Sequence, residues 1–599
     1  MQKYFLLTRR FLALGFVAAL LVSCGRKNST PTGGAAQSTP LPEPPYVSKC
    51  EPGVRGGRLV IAQLGDPKTF NPITANETSS TDVLLRMFAG LTAVDVPTQT
   101  FFPALAESWT VGADNKTWTF KLRKNLRWSD GQPLTADDVV FTYNELIYST
   151  NWVSVVRDAV QIEGKKFTVT KMDDLTVQIV TPDIYAPFLQ FAAAEVRIMP
   201  KHKLLGAVAQ KNFPSAYGVN AKPADVVGSG PYRLKQFKSG ELTVLERNPY
   251  YFAVDSKGTR LPYIDELIFT STPDQNAQSL RFLAGQSDIL ELVRPEEIDR
   301  FKAEAAKAKF QLLDIGLASE RDYICFNQNT NVNPKTGKPY LDPVKQKWFL
   351  NTKFRQAVSF AIDRPAIIRA ALSGYGEPNY NYATPGSHWL NTNIATYPLN
   401  PEKARALLKE IGMIDRNNDG IVEDSEGHPV EFVMISNTGN TRREKSSVII
   451  QQDLAKIGIK LLWRPVDFNT LVDKTSTSFD FDCFSLGWGG GPPDPTYGMN
   501  VILSTGFTHT WFPQQKSPAS DWEARMDFLI SAQLKTLDLD QRRKFYHEVQ
   551  AILAEQQPMI FLASMRAFSA VRNDLQNVRA STLDSNRVLW NIEEVWLKK

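Results

Sequence analysis

Apolar positions recur along this 599-residue chain with two periods. Short runs at 57–64, 232–237, 241–247, 263–270, 287–290 and 310–313 predict strands, and apolar spacings of three and four at 81–89, 275–284 and 295–306 predict helices. The second half repeats the scheme. Strands at 430–435, 459–464 and 481–486 alternate with a helix at 441–457, two amphipathic helices fill 521–556, and a strand follows at 558–561. Helices placed between strands in this way specify an α/β body.

Local signals set the boundaries. Gly90 closes the first helix as a residue free to turn left-handed, Gly285 closes the helix at 275–284, and Asn400-Pro401-Glu402 opens a helix that Gly412 stops. Alternation through Trp109, Trp118, Phe120 and Leu122 leads to an Asp130-Gly131 turn. Thr135 with Asp138 then forms a capping box for a helix that turns Val139, Val140, Tyr143, Leu146 and Ile147 to one side. The runs at 232–237 and 241–247, joined by Lys238, Ser239 and Gly240, read as an antiparallel hairpin with one buried face.

Composition adds compartment and size. Lys3, Arg9 and Arg10 precede an apolar run at 11–22 that is short for a membrane span and suits an export signal. Residues 25–53 are rich in Pro, Gly, Ser and Thr and have little to bury, which predicts a flexible tether. Removing 1–23 takes three positive charges from a net +5 and leaves +2, a balance that argues against nucleic acid as a partner. A chain with 43% apolar residues and this length supports two or three lobes. Of the four cysteines, Cys50, Cys325 and Cys483 allow at most one internal disulfide.

Several stretches are specific enough to carry a resemblance. Gly228-Ser229-Gly230-Pro231-Tyr232, the hairpin after it and Arg247-Asn248-Pro249-Tyr250-Tyr251 resemble the signature of family 5 extracellular solute-binding proteins, the oligopeptide-, dipeptide- and nickel-binding receptors of ABC importers. Ala106-Glu107-Ser108-Trp109, Asp130-Gly131 with Thr135-Ala136-Asp137-Asp138-Val139, and Gly487-Trp488 with Asp494-Pro495 resemble further motifs of that family, in family order. Leu21-Val22-Ser23-Cys24 resembles a bacterial lipobox, which implies a lipid on Cys24 and attachment to the cell membrane, facing the periplasm or exterior.

The resemblance implies a two-lobed type II periplasmic-binding-protein fold with an inserted α+β domain. The expected organisation is a signal peptide at 1–23, a tether at 24–54, lobe I at 55–93, 228–320 and 563–599, inserted domain II at 94–227 and lobe III at 321–562. It also implies a ligand cleft drawing on Ala75, Asn76, Glu77, Thr78, Phe326, Asn327, Trp488, Gly489, Gly490, Gly491, Asp494 and Tyr497. Many peptide-binding members place an Asp where this chain has Gly491, so an ammonium salt bridge there is not expected. The implied role is capture of a solute, foremost an oligopeptide, by a monomer that delivers it to an ABC permease. The alternatives are a metal chelate or oligosaccharide as solute, a ligand-binding sensor or chaperone-like lipoprotein, and an exported hydrolase.

One loop suggests a metal. Asp415, Asn417, Asp419, Ile421, Glu423 and Glu426 hold the six ligand positions of a twelve-residue EF-hand loop with Gly420 at its turn, which predicts a single structural Ca2+ because a strand, not a helix, follows. No catalytic metal, phosphate-binding or nucleophile-elbow pattern occurs, and five scattered His form no ligand set, so no catalytic residue and no other cofactor is expected.

Overall fold

The computed structural model describes residues 39–598, apart from Asn76, Glu163, Gly490, Gly491, Pro492, Phe507 and Gln514. The expected signal peptide, Cys24 and the first part of the tether therefore lie outside the described residues. A single mixed sheet of 11 strands runs through the unit Pro40–Lys599. In chain order its labelled elements are β1 (Arg58–Leu64), α1 (Thr78–Met87), β2 (Tyr232–Lys238), β3 (Leu242–Arg247), β4 (Glu266–Thr272), β5 (Ile289–Leu290), β6 (Phe310–Phe326) and β7 (Glu431–Asn437). They continue with α2 (Thr441–Ala455), β8 (Lys460–Val466), β9 (Cys483–Trp488), α3 (Asp521–Leu534), α4 (Leu539–Gln556) and β10 (Met559–Arg572).

The strand order is β2-β3-β4-β1-β5-β10-β6-β9-β7-β8, with Gly376–Pro378 paired to β10. Toward each end the sheet contains a parallel stretch, β4-β1-β5 on one side and β9-β7-β8 on the other, as α/β crossovers require. Between them lies the long antiparallel pair β6 and β10, of 17 and 14 residues. The expected strand at 310–313 is thus the start of a single strand that runs on to Phe326. Its middle, 314–321, mixes polar with apolar residues and exposed or half-buried with buried positions as it passes from one core to the next, so no continuous apolar face announces it. Register slips occur between Asp314 and Gly316, Leu317 and Arg321, and Arg321 and Tyr323, and Gly316 takes φ +96° at the first of them.

Burial alternates across the second half of this sheet. Ile324, Phe326, Cys483 and Ile560 enter one core, while Tyr323, Cys325, Phe484 and Phe561 enter another on the opposite face. Cys325 and Cys483 are therefore held apart, and Cys50, Cys325 and Cys483 are free thiols. In the first half one core takes Leu59, Ile61 and Phe269 from the large sheet together with Trp118, Phe120 and Val169. The last three belong to a four-stranded antiparallel sheet of Ala106–Val111, Thr117–Leu122, Thr176–Val180 and Thr168–Asp173. Thr135 and Asp138 form the expected capping box.

Two expectations need correction. Residues 40–54 are not free tether: Tyr46–Val47 pairs in parallel with Ala253–Val254, Glu43 N–H donates to Lys124 O at 3.0 Å, Arg123 Nη1 donates to Pro44 O at 2.7 Å, and the Tyr46 ring stacks 4.9 Å from Phe102. Long-range partners and one aromatic anchor offset an ordering cost that composition alone suggested would stand. Gly90 is also not a left-handed cap. It is small because a Cβ there would lie 2.5 Å from Ala194 O and 2.6 Å from Ala193 O. The same reason explains Gly228 and Gly230, whose backbone presses on the end of α1, with Gly230 N–H donating to Met87 O at 2.8 Å.

Candidate functional site

The residues expected in the cleft separate into two groups. Ala75 is 5% exposed and part of the first-half core, Glu77 and exposed Thr78 lie at the start of α1, and Asn76 lies outside the described residues. Phe326 is fully buried among Phe349, Phe354 and Phe432. Asn327, also fully buried, donates through Nδ2 to Phe479 O and Phe481 O at 3.1 and 2.9 Å. A closed aromatic cluster and a saturated amide leave these two residues no face for a ligand, so they are structural rather than ligand-binding.

The segment after β9 behaves differently. Trp488 lies parallel to Tyr323 at 6.3 Å, and its indole N–H is buried without an acceptor. Gly489 is exposed with open space about its Cα, and Gly490 and Gly491 lie outside the described residues. Asp494 caps the turn through Thr496 N–H at 2.9 Å and pairs with Arg542 at 3.1 Å. Tyr497 reaches across to the first half, where its ring packs 4.8 Å from Phe191 and its hydroxyl donates to the Glu195 carboxylate. Lys535 with Asp183 at 2.7 Å, and Ala186 N–H with Leu534 O at 2.7 Å, add two further bridges between the halves.

Behind that seam lies a group of charges drawn from distant parts of the chain. Asp82 and Arg86 sit one turn apart on α1, Glu195 and Arg197 on the segment before Ile198, Glu291 after β5, Glu320 on β6, and Asp584 and Arg587 in the C-terminal segment. Burial pushes the Asp82 carboxyl up to about 6 and that of Glu291 up to about 7, and it also raises Glu195; nearby guanidiniums only partly oppose it. Burial likewise lowers Arg197, against the pull of Glu195. Five carboxylates thus face three guanidiniums, leaving two negative charges uncompensated when all are ionised.

Hydrogen bonding in this group is incomplete. Arg587 pairs with Glu320 Oε1, and Val588 N–H donates to Glu291 Oε2 at 3.3 Å. Glu291 Oε1, Glu320 Oε2, Asn586 Oδ1, Arg587 Nε and Arg86 Nε are buried without partners. A hollow of about 10 Å³, the size of one water, adjoins Glu320, Asp322 and Arg442. These residues carried a readable signal: Arg86, Glu195, Arg197 and Glu291 each interrupt an apolar run, where a charge is rarely buried without a purpose.

The acidic loop is a separate place. Carboxylate oxygens of Asp415, Asp419 and Glu423 all lie within 4.8 Å of one another. Asp415 Oδ2 accepts Gly420 N–H at 3.0 Å, and its Oδ1 is buried without a partner. Asn417 Oδ1 accepts Asp419 N–H at 2.8 Å and Asp419 Oδ1 accepts Ile421 N–H at 2.8 Å, so the turn is shaped by its own side chains. Glu426 departs from the expectation. It pairs with Lys347 at 2.5 Å, while Glu423, held by the bridge between Ile414 and Glu423, supplies the third acid.

Comparison with known proteins gives consistent results. The family described as bacterial extracellular solute-binding proteins, family 5 middle, matches residues 100–509. A protein of Deinococcus radiodurans described as a probable ABC transporter-binding protein is 30% identical over 573 residues, covering 91% of this chain and 94% of its own. The oligopeptide-binding protein AppA of Bacillus subtilis is 29% identical, covering 91% and 92%. The solved structure of that protein with a nonapeptide aligns at a TM-score of 0.69 and 27% identity, over 92% of this chain and 100% of the other.

Proposed function

Because this chain belongs to the bacterial extracellular solute-binding proteins of family 5, whose members serve ABC importers, we propose that its own solute is an oligopeptide, held between the two halves and handed to a membrane permease. The observation that carries this reading is the likeness, along nearly the whole chain, to a protein solved with a nonapeptide. The seam between the halves supports it. Charges of both signs and several unpaired buried donors and acceptors suit a polar, dipolar ligand with a backbone to satisfy. Closure follows from differential affinity: a solute that touches both halves favours the state in which Tyr497 meets Glu195 and Lys535 meets Asp183.

The protein binds and releases its cargo unchanged, as a monomer. It is exported and held at the membrane by a lipid on Cys24, a reading supported by the basic start, the apolar run at 11–22 and the lipobox-like Leu21-Val22-Ser23-Cys24. A structural Ca2+ in the loop at 415–423 completes it, supported by three converging carboxylates and the unpaired Asp415 Oδ1. Native mass spectrometry of the purified protein is expected to reveal bound masses that fragment as peptides. Recovery of saccharide or metal chelate in their place, or chemical conversion of an added peptide, overturns the reading. Metabolic labelling with palmitate should mark the wild type and not Cys24→Ser.

A further inference from the structure

We propose that Glu291 and Glu320, bonded to the adjacent residues Val588 and Arg587, form the subsite that takes the cationic end of the ligand, an α-ammonium group. This rests on the peptide reading above and adds to it which end of the peptide is read, and by which half.

The two acids share an arrangement. Each spends one oxygen on the same two residues, Glu320 Oε1 on the Arg587 guanidinium and Glu291 Oε2 on Val588 N–H. Each keeps its other oxygen buried and without a donor. A buried carboxylate oxygen left unsatisfied costs free energy, and two at one place point to a donor that arrives from outside the chain. Asn586, only 4% exposed and next to Arg587 in the chain, adds a third unpaired acceptor. Its orientation is set by the chain, because its Nδ2 faces Asp584 Oδ1 at 3.3 Å and Ser585 Oγ at 3.4 Å, which leaves Oδ1 pointing elsewhere.

The complement of three acceptors is a group with donors only. An ammonium has three N–H donors and no acceptor, and its charge offsets one of the two negative charges left over in this group. The unpaired Arg587 Nε supplies a donor for the carbonyl oxygen that follows an ammonium in any peptide. A carboxylate terminus has the wrong sign for this place.

The test compares one short-peptide library with free amino termini and the same library N-acetylated, each incubated with the full-length protein, and measures retained peptide by mass spectrometry after rapid gel filtration. Free-amine peptides should be retained about 10- to 100-fold better than their acetylated forms, the range of one charge-assisted bond. Glu291→Gln and Glu320→Gln should lose most of that preference by weakening the free-amine pool alone. Equal retention of both pools by the wild type overturns the subsite, and so does an undiminished preference in both folded variants. The comparison of the two wild-type pools stands even if a variant fails to fold. Retention of neither pool overturns the peptide reading itself and the subsite with it.

Discussion

Glu523 on α3 and Glu291 after β5 are both acids set inside the molecule, one in each half, and they are treated in opposite ways. Glu523 is 3% exposed and accepts from Trp511 Nε1 at 2.9 Å, Ala519 N–H at 2.8 Å, Gln515 Nε2 at 3.1 Å and Ser520 Oγ at 3.3 Å, with His509 Nε2 at 3.4 Å. Burial alone would raise its carboxyl, yet the donors from His509, Trp511, Gln515 and Ala519 hold it at about 2. Glu291 has a single donor at 3.3 Å, and burial carries it up to about 7. This chain can therefore satisfy a buried carboxylate when the purpose is architecture. Where it leaves one unsatisfied, the missing partner comes from elsewhere.

The contrast can be broken most sharply at its satisfied end. Glu523→Gln should destabilise the second half by about 3 to 5 kcal/mol in urea unfolding, because four donors lose their anion at once. Next comes the third incompletely satisfied acid, Asp415. Chelation of Ca2+ should lower stability by about 2.7 kcal/mol if the ion had been present at about a hundredfold its dissociation constant, and Asp415→Asn should abolish that response, both read by thermal unfolding with and without chelator.

Glu291→Gln should leave the ligand-free protein as stable as wild type or more so, by about 1 to 3 kcal/mol, since it removes an ill-satisfied anion. The pH dependence follows from the same shifts. Glu291 and Asp82 have folded values near 7 and 6, above the ordinary 4.5 and 3.8, so the folded state keeps protons that the unfolded chain has shed. Their contribution to stability is full below those ordinary values and is lost as pH rises through about 6 to 7. Glu523 has the opposite sign: its contribution is present above about 4.5 and is lost as pH falls through about 2. Urea titrations across pH should show a shallower upper slope in Glu291→Gln, the remainder coming from Asp82 and Glu593, and an unchanged lower one. The smallest effect is expected at the seam, where Tyr497→Phe removes a half-exposed hydrogen bond worth about 1 kcal/mol or less, detectable as a wider mean separation of the halves in solution scattering.

Local features were legible without coordinates. The Thr135 and Asp138 capping box, the Asn400 cap accepting from Lys403 N–H, the left-handed Gly240, Gly285 and Gly412, and the β2-β3 hairpin all depend on neighbours a few residues apart. The same holds for the acidic loop, except that Glu426 had a competing Lys347 from a distant helix. Phe326 and Asn327 are cleft residues only by resemblance, and it takes the packing of Phe349, Phe354 and Phe432 on the one and the carbonyls of Phe479 and Phe481 on the other to show that they face inward.

By itself the chain determined its periodicities, caps, turns and family, because those are written in residues close together or in motifs kept in order. Tertiary structure alone decided that β6 is one strand through both halves, that residues 40–54 pack on the body, and that acids at 82, 195, 291, 320 and 584 share one place with arginines at 86, 197 and 587. The reason is electrostatic and steric: whether a charge is satisfied depends on groups hundreds of residues away, and no local pattern records which of them the fold brings within reach.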